Sequence, residues 1–221
     1  MPQSGEHHPA FEEYCECIYE LREDDVEVIQ ARIADRLQVS RPSVSEMVRR
    51  LEGDGLIVLA DNVISLTEAG ERLALRVVRR HRLAERFLTD VLGLSWAQAH
   101  HEAGKWEHVM SDDVEAAMNR LLGDPTTCPH GNPIPGSSYL AEETVRLVDV
   151  TPGHRFTVTR IPEELEFAPG VLDFLESSAL QPGRSGTIAS SNADGSVTVD
   201  IEGHHVSVAP FTSARILVTA A

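Results

Sequence analysis

A chain of 221 residues, 42% hydrophobic and 24% charged, is long enough for two or three small domains with real cores. It has no apolar run of about 18 residues, which excludes a helical membrane span, and its opening "MPQSGEHHPAFEE" lacks the basic-then-apolar order of a secretory signal. Three cysteines do not make a disulfide framework, so a reducing cytoplasm is the simplest setting.

The net charge of −16 argues at first against nucleic acid, but its distribution reverses that impression. Between Arg32 and Arg86 there are eleven arginines against eight acids, so the acidic excess lies elsewhere. Phosphate binding needs a local basic surface, not a basic protein.

An amphipathic helix is expected from about Phe11 to Arg22, with Tyr14, Ile18 and Leu21 apolar. "IQARIADRLQVSRPSVSEMVRRLEGDGLI" reads as helix, tight turn, helix. Ile33, Ala34 and Leu37 form the first apolar face, and Val44, Val48 and Leu51 the second. Ser40 offers an N-cap, with Pro42 in the first turn. "GLIVLADNVISLTEAG" follows as a small hairpin turning at Asp61-Asn62, and a further helix starts at Thr67. Helix–turn–helix–hairpin in this order is the pattern of a winged helix-turn-helix DNA binder.

A helix is next expected over 95–122, capped by Ser95. It contains "HHEAGKWEHVMSDD", in which His100, Gly104, Glu107 and His108 fall on one face. Nitrogen and oxygen donors converging from a rigid element suit a metal ion, and a solvated helix face is the alternative. "GDPTTCPHGNPIPGSS" reads as an ordered loop or linker in which Cys128 and His130 are simply loop residues. Cys15 and Cys17 diverge on their helix and read as small buried residues. After about Glu143, six short β-type segments surround one helix, "GVLDFLESSAL", as in a small barrel. The expected class is α+β multidomain.

The stretches "RIADRLQVSRPSVS", "RRHRLAERFL", "KWEHVMSD" and "HGNPIPG" resemble the metal-dependent repressors of the diphtheria toxin repressor family, in the same order over nearly the whole chain. The resemblance implies a DNA-binding domain at 1–73, a helical metal-binding and dimerisation domain at 74–140 and an SH3-like barrel at 141–221. It implies a homodimer that binds operator DNA when loaded with divalent metal, acting on no small-molecule substrate and no membrane.

It also implies two metal sites per subunit. The ancillary one takes His81, Glu85 and His100, with Glu163 and Glu166 from the barrel. The primary one takes Glu107, His108, an N-terminal ligand at Glu13 and a second acid, Glu16. Where other members carry a side-chain ligand, this chain has Gly104, which offers only its carbonyl; Glu102 or water is the candidate to fill the gap. Carboxylates in place of sulfur donors make the site hard, which favours Mn²⁺, with Fe²⁺ second.

The recognition helix would span Pro42 to Leu51. The DNA-facing set is Arg32, Ser40, Arg41, Pro42, Ser43, Ser45, Glu46, Arg49 and Arg50, with Arg41, Arg49 and Arg50 on phosphates. Glu46 either accepts from a cytosine amino group or points into solvent. Two rival readings are a metal-dependent hydrolase, which needs an open coordination position to activate water, and a winged-helix regulator whose metal is only structural.

Overall fold

The computed structural model describes residues 9–220. The first unit comprises α1 (Pro9–Glu23), α2 (Gln30–Leu37), α3 (Arg41–Gly53) and a hairpin of β1 (Ile57–Ala60) and β2 (Val63–Leu66). Ser40 caps α3 by accepting from the Ser43 amide at 3.2 Å, and Pro42 lies in the first turn, where its missing N–H costs nothing. Asp61 and Asn62 both take positive φ, the two-residue turn that matches strand twist. Ile18, Ile33, Val44, Val48, Leu51 and Ile64 close this unit's core.

A long helix, α4 (Glu68–Asp90), leaves the hairpin directly and runs through the expected domain junction. Thr67 caps it and donates to the Gly55 carbonyl at 2.7 Å. A Cβ on Gly70 would lie 2.0 Å from the Leu56 carbonyl oxygen, so only glycine lets α4 seat this closely on the hairpin.

The expected single helix over 95–122 is instead two, α5 (Trp96–Trp106) and α6 (Asp112–Leu121). Ser111 explains the break: it caps a new start by accepting from Val114 N, and Asp112, Asp113 and Glu115 suit a helix N-terminus. Glu107 and His108 therefore lie in the turn after α5, not on one continuous face with His100 and Gly104. Ala84, Leu88, Ala99, Ala103, Met110 and Met118 pack α4, α5 and α6 together.

The segment 123–138 is an ordered loop with a buried interior: Cys128, His130, Asn132 and Ile134 are all enclosed. Its Gly131 presses against β4 (Arg155–Arg160), and Ile161 N donates to His130 O at 2.8 Å.

The C-terminal unit adds β3 (Val145–Arg146), a 3-10 turn (Leu147–Asp149), α7 (Glu163–Glu166), α8 (Val171–Ser177), β5 (Ser185–Ser191), β6 (Val197–Ile201), β7 (His204–Val208), α9 (Pro210–Ser213) and β8 (Leu217–Ala220). The six strands form one antiparallel sheet in the order β3-β8-β4-β5-β6-β7. Its edges β3 and β7 are not paired to each other, so the expected barrel is an SH3-like sheet rather than a closed one. Three short helices accompany the strands where one was expected; α7 and α9 span four residues each, below the length a period makes visible.

Candidate metal centre

His81 and Glu85 stand one turn apart on the buried face of α4. His81 Nε2 lies 3.2 Å from Glu85 Oε1 and 3.3 Å from His100 Nδ1, which α5 brings across. His100 Nδ1 is also 3.0 Å from Glu85 Oε1 and 3.2 Å from Glu166 Oε2 of α7. The loop supplies His130, whose Nδ1 is 2.8 Å from Glu166 Oε2 and 3.5 Å from Glu85 Oε1, with Cys128 Sγ at 3.8 Å behind it. Glu163 turns one oxygen to the buried Arg82 at 2.9 Å and its other toward this inner cluster.

His81 also faces a second, outer cluster. Its Nδ1 is 2.5 Å from Glu107 Oε2, and Glu107 Oε1 is 3.2 Å from His108 Nε2. Ligand atoms of Glu16, His81 and Glu107 lie within 4.8 Å of one another. His108 Nδ1 meets Glu12 Oε2 at 2.9 Å, and Arg76 holds the other Glu12 oxygen at 3.1 Å. A cavity of about 500 Å³ opens beside these groups, walled in part by Glu13, Glu16, Gly104 and Lys105.

Four buried carboxylate oxygens have no aligned hydrogen-bond partner among the described residues: Glu16 Oε1, Glu85 Oε2, Glu163 Oε2 and Glu166 Oε2. Glu166 Oε2 is near two imidazole nitrogens but is not directed along a bond to either. Buried acceptors left this way are costly, and a cation satisfies them together.

The protonation states tell the same story. Burial opposes charging of His100, yet Glu166 and Glu85 outweigh it and hold its pKa at about 10. His81 and His130 are likewise raised well above the ordinary imidazole value, against burial, by Glu85 and Glu107 for the first and Glu166 and Glu85 for the second. Burial pushes Glu16 well up, helped by Glu107 and Glu20, and pushes Glu163 to about 7 with Glu166 adding to it. Glu85 stays well below the usual range despite its burial, because His130 and His81 face it. Protons thus stand in for positive charge that the carboxylates require. Oxygen and imidazole donors with one thiol suit a divalent first-row ion, so the residues present fit such a metal.

Of the candidate ligands, His81, Glu85, His100, Glu163 and Glu166 come together in the inner cluster, and Glu16, Glu107 and His108 in the outer. Glu13 lines the cavity but is exposed, and its neighbour Glu12 is the residue that touches His108. Gly104 also lines the cavity, and an added Cβ there would meet nothing within 4 Å. Glu102 does not take part: two residues on from His100, it points out of α5 and pairs with Lys105 at 2.7 Å. Cys128 and His130 are loop residues as expected, but not simply so: they are fully buried against Glu85. The one sign of this in the sequence is the pair of donor side chains in "CPH", two residues apart in a loop stiffened by proline. Cys15 and Cys17 are buried in the first core.

Residues 8–62 match the family described as the iron dependent repressor N-terminal DNA binding domain, and residues 67–136 its metal binding and dimerisation domain. The iron-dependent repressor IdeR of Mycobacterium tuberculosis is 41% identical over 217 residues, covering 92% of this chain and 94% of that relative. The chain belongs to the diphtheria toxin repressor family. The diphtheria toxin repressor of Corynebacterium diphtheriae is 51% identical over 130 residues, 58% of each chain. Among solved structures, a manganese-dependent transcriptional repressor in complex with manganese matches with a TM-score of 0.85 at 30% identity, covering 96% of this chain and 100% of that one. The manganese regulator SloR matches with a TM-score of 0.78 at 30% identity, covering 97% and 100%.

As an iron- or manganese-dependent transcriptional repressor of the diphtheria toxin repressor family, the chain carries its DNA-binding unit in α1 to β2. Ser40, Arg41, Pro42, Ser43, Glu46, Arg49 and Arg50 are all exposed on or just before α3, and Ser45 is half-buried. Arg49 folds back on Ser45, with Nε 3.1 Å from its carbonyl, and the Arg50 guanidinium sits 5.1 Å from the centre of the Phe11 ring. Arg32 lies apart from them on α2, lining a cleft shared with Phe167 and Phe211.

Proposed function

We propose that this repressor is gated by manganese, with iron as the second effector, and that it binds operator DNA of metal-homeostasis genes as a homodimer. The observation that carries the reading is the set of buried, unpartnered carboxylate oxygens on Glu16, Glu85, Glu163 and Glu166, drawn from α1, α4 and α7. Ligands contributed by three separate parts of the chain make a sensor of how those parts sit together. Glu85, His81, His100, His130, Glu163 and Glu166 would hold an inner ion, and Glu16, Glu107 and His108, with Glu13 and the Gly104 carbonyl at the cavity wall, an outer one. A bound divalent cation supplies the positive charge that this buried acid otherwise borrows from protons.

The residues do the rest. Glu12 and Glu16 sit on α1, which packs against α2 and α4, so drawing them toward Glu107 and His108 fixes the angle of the helix-turn-helix. α3 then presents Pro42, Ser43, Ser45 and Glu46 to base edges, with Arg41, Arg49 and Arg50 toward phosphates. The free energy that separates the two arrangements couples ion affinity to operator affinity. Val109, Val114 and Leu121 expose apolar surface along and beside α6, which supports a second copy of the chain docking there.

Binding to DNA upstream of metal-transport genes, followed by fluorescence anisotropy with Mn²⁺, Fe²⁺ and Zn²⁺ titrated separately, tests the proposal. Affinity should rise with Mn²⁺ at the lowest concentration and fall away in chelator. Operator binding unchanged by chelator would leave the metal a structural role only. Glu13→Met should cost the Mn²⁺ response more than the Fe²⁺ response, because the harder ion depends more on a charged oxygen.

A further inference from the structure

The short helix α7 touches two places at once. Glu163 and Glu166 reach into the inner cluster, and Phe167, the next residue, caps the helix with its amide 3.3 Å from the Glu163 carbonyl. The Phe167 ring meets the His100 ring edge-on, with centroids 5.1 Å apart, and the Arg36 guanidinium lies 4.8 Å from its centre. Arg36 belongs to α2, the first helix of the helix-turn-helix, and its side chain is only 5% exposed although it is charged. Its Nη1 makes a long 3.3 Å bond to Glu20, and its Nη2 has no hydrogen-bond partner among the described residues, with the Asp24 carboxylate 4.0 Å away. The Phe167 ring is thus the neighbour that the C-terminal unit supplies to this cation, beside the carboxylates of Glu20 and Asp24 from the first unit. Close by, Asp24 at the end of α1 accepts from the Glu164 amide at 3.1 Å and from Arg160 at 2.7 Å. The C-terminal unit grips the DNA-binding unit at the end of α1 and at α2.

We propose that Phe167 is a positioning residue that straps α2 to the inner cluster, so that the C-terminal unit carries the state of that cluster to the helix-turn-helix along a path separate from α1. The inference rests on the metal-gated reading. The Glu163 and Glu166 oxygens that lack partners gain one when a cation is present, and α7 is then held at both ends of its single turn. Phe167 is fixed with it, and a guanidinium stacked on a fixed ring restrains α2. A cation–π contact at a partly exposed ring is worth roughly a two- to fivefold change in an equilibrium.

Phe167→Leu keeps most of the volume and removes the π face; Phe167→Tyr keeps the face. Hydrogen exchange at residues 30–37 with and without Mn²⁺ reads the strap directly and needs no operator. Wild type and Phe167→Tyr should gain protection there on adding Mn²⁺, and Phe167→Leu should lose most of that gain with unchanged Mn²⁺ stoichiometry. The Mn²⁺-induced rise in DNA affinity should shrink two- to fivefold in Phe167→Leu alone. Equal protection in all three proteins overturns the strap. So does a Phe167→Leu protein that binds fewer ions, since the ring would then act on His100. A wild-type protein whose DNA affinity ignores Mn²⁺ would sink the functional reading, while the exchange data would still decide the strap.

Discussion

Arg82 is a fully enclosed cation, and replacing it with methionine should destabilise the fold in a way that depends on pH. Its guanidinium holds Glu163 Oε1 at 2.9 Å, both Glu23 oxygens at 2.6 and 3.1 Å, and the Pro133 carbonyl at 2.5 Å. Glu23 keeps Arg160 at 3.0 Å after the change, so the stranded group is Glu163, whose side chain is 1% exposed. Removing one member of a buried pair costs about 3–5 kcal/mol, unless the stranded acid escapes by taking up a proton.

Glu163 has that escape. Burial, with Glu166 adding to it, raises its folded pKa to about 7 from 4.5, even with Arg82 present. In the wild type the group binds more protons folded than unfolded between these values, so it lowers stability as pH rises to about 7 and no further. Without Arg82 the folded pKa moves higher, and the loss continues at about 1.4 kcal/mol per pH unit above neutrality. Urea unfolding in chelator at pH 6 and pH 8 measures this. We expect Arg82→Met to cost about 2 kcal/mol at the lower pH, from the lost Pro133 and Glu23 bonds, and visibly more at the higher. Adding Glu163→Gln should remove the pH-dependent part. A penalty equal at both pH values, or one that Glu163→Gln leaves intact, refutes the reasoning.

His81→Ala should abolish Mn²⁺-dependent DNA binding, because both clusters use this ring, whereas His108→Ala should weaken it and leave the inner ion in place; calorimetric stoichiometry separates the two. With His100 near 10 and His81 and His130 raised, binding an ion at pH 7 must displace protons, so affinity should rise with pH. Titrations in buffers of different ionisation enthalpy should then differ in apparent heat by more than one proton per ion. Arg49→Ala should lower affinity for every DNA sequence and flatten the log–log salt dependence by roughly one unit. An unchanged slope would take Arg49 off the phosphates.

The helix-turn-helix was legible because its signals are local: a serine cap, a proline in the first turn and apolar residues at helical spacing. The break between α5 and α6 was legible in principle, since Ser111 followed by Asp112 and Asp113 is a start signal. It was masked by an uninterrupted polar pattern without proline. His81 and Glu85 could be paired because four residues on one helix fix their geometry. Cys128 and His130 could not, because what turns them inward is the contact of Gly131 with β4, a long-range fact no window contains. The same holds for the sheet: alternation marks the strands, but whether β3 meets β7 depends on how far the sheet coils. A one-residue step on α1 swings a side chain by about 100°, so only packing shows that Glu12 meets Arg76 and His108 while Glu13 lines the cavity.

α4 is a continuous rod of 23 residues, roughly 35 Å long at 1.5 Å per residue. One end is seated without clearance on the wing hairpin at Gly70, and the ligand-bearing turn that starts at His81 begins just past its middle. A rod so clamped converts angle into displacement. A tilt of about 5° at the ligand turn moves the hairpin end, ~17 Å away along the axis, by ~1.5 Å. That is more than the tolerance of a hydrogen bond to a base edge. The wing can therefore be read as the far arm of a lever whose short arm is a few tenths of an ångström of movement around His81, and its gain is set by helix length. Inserting seven residues, about two turns, between Gly70 and His81 would lengthen that arm by roughly two-thirds with the faces only about 20° out of register.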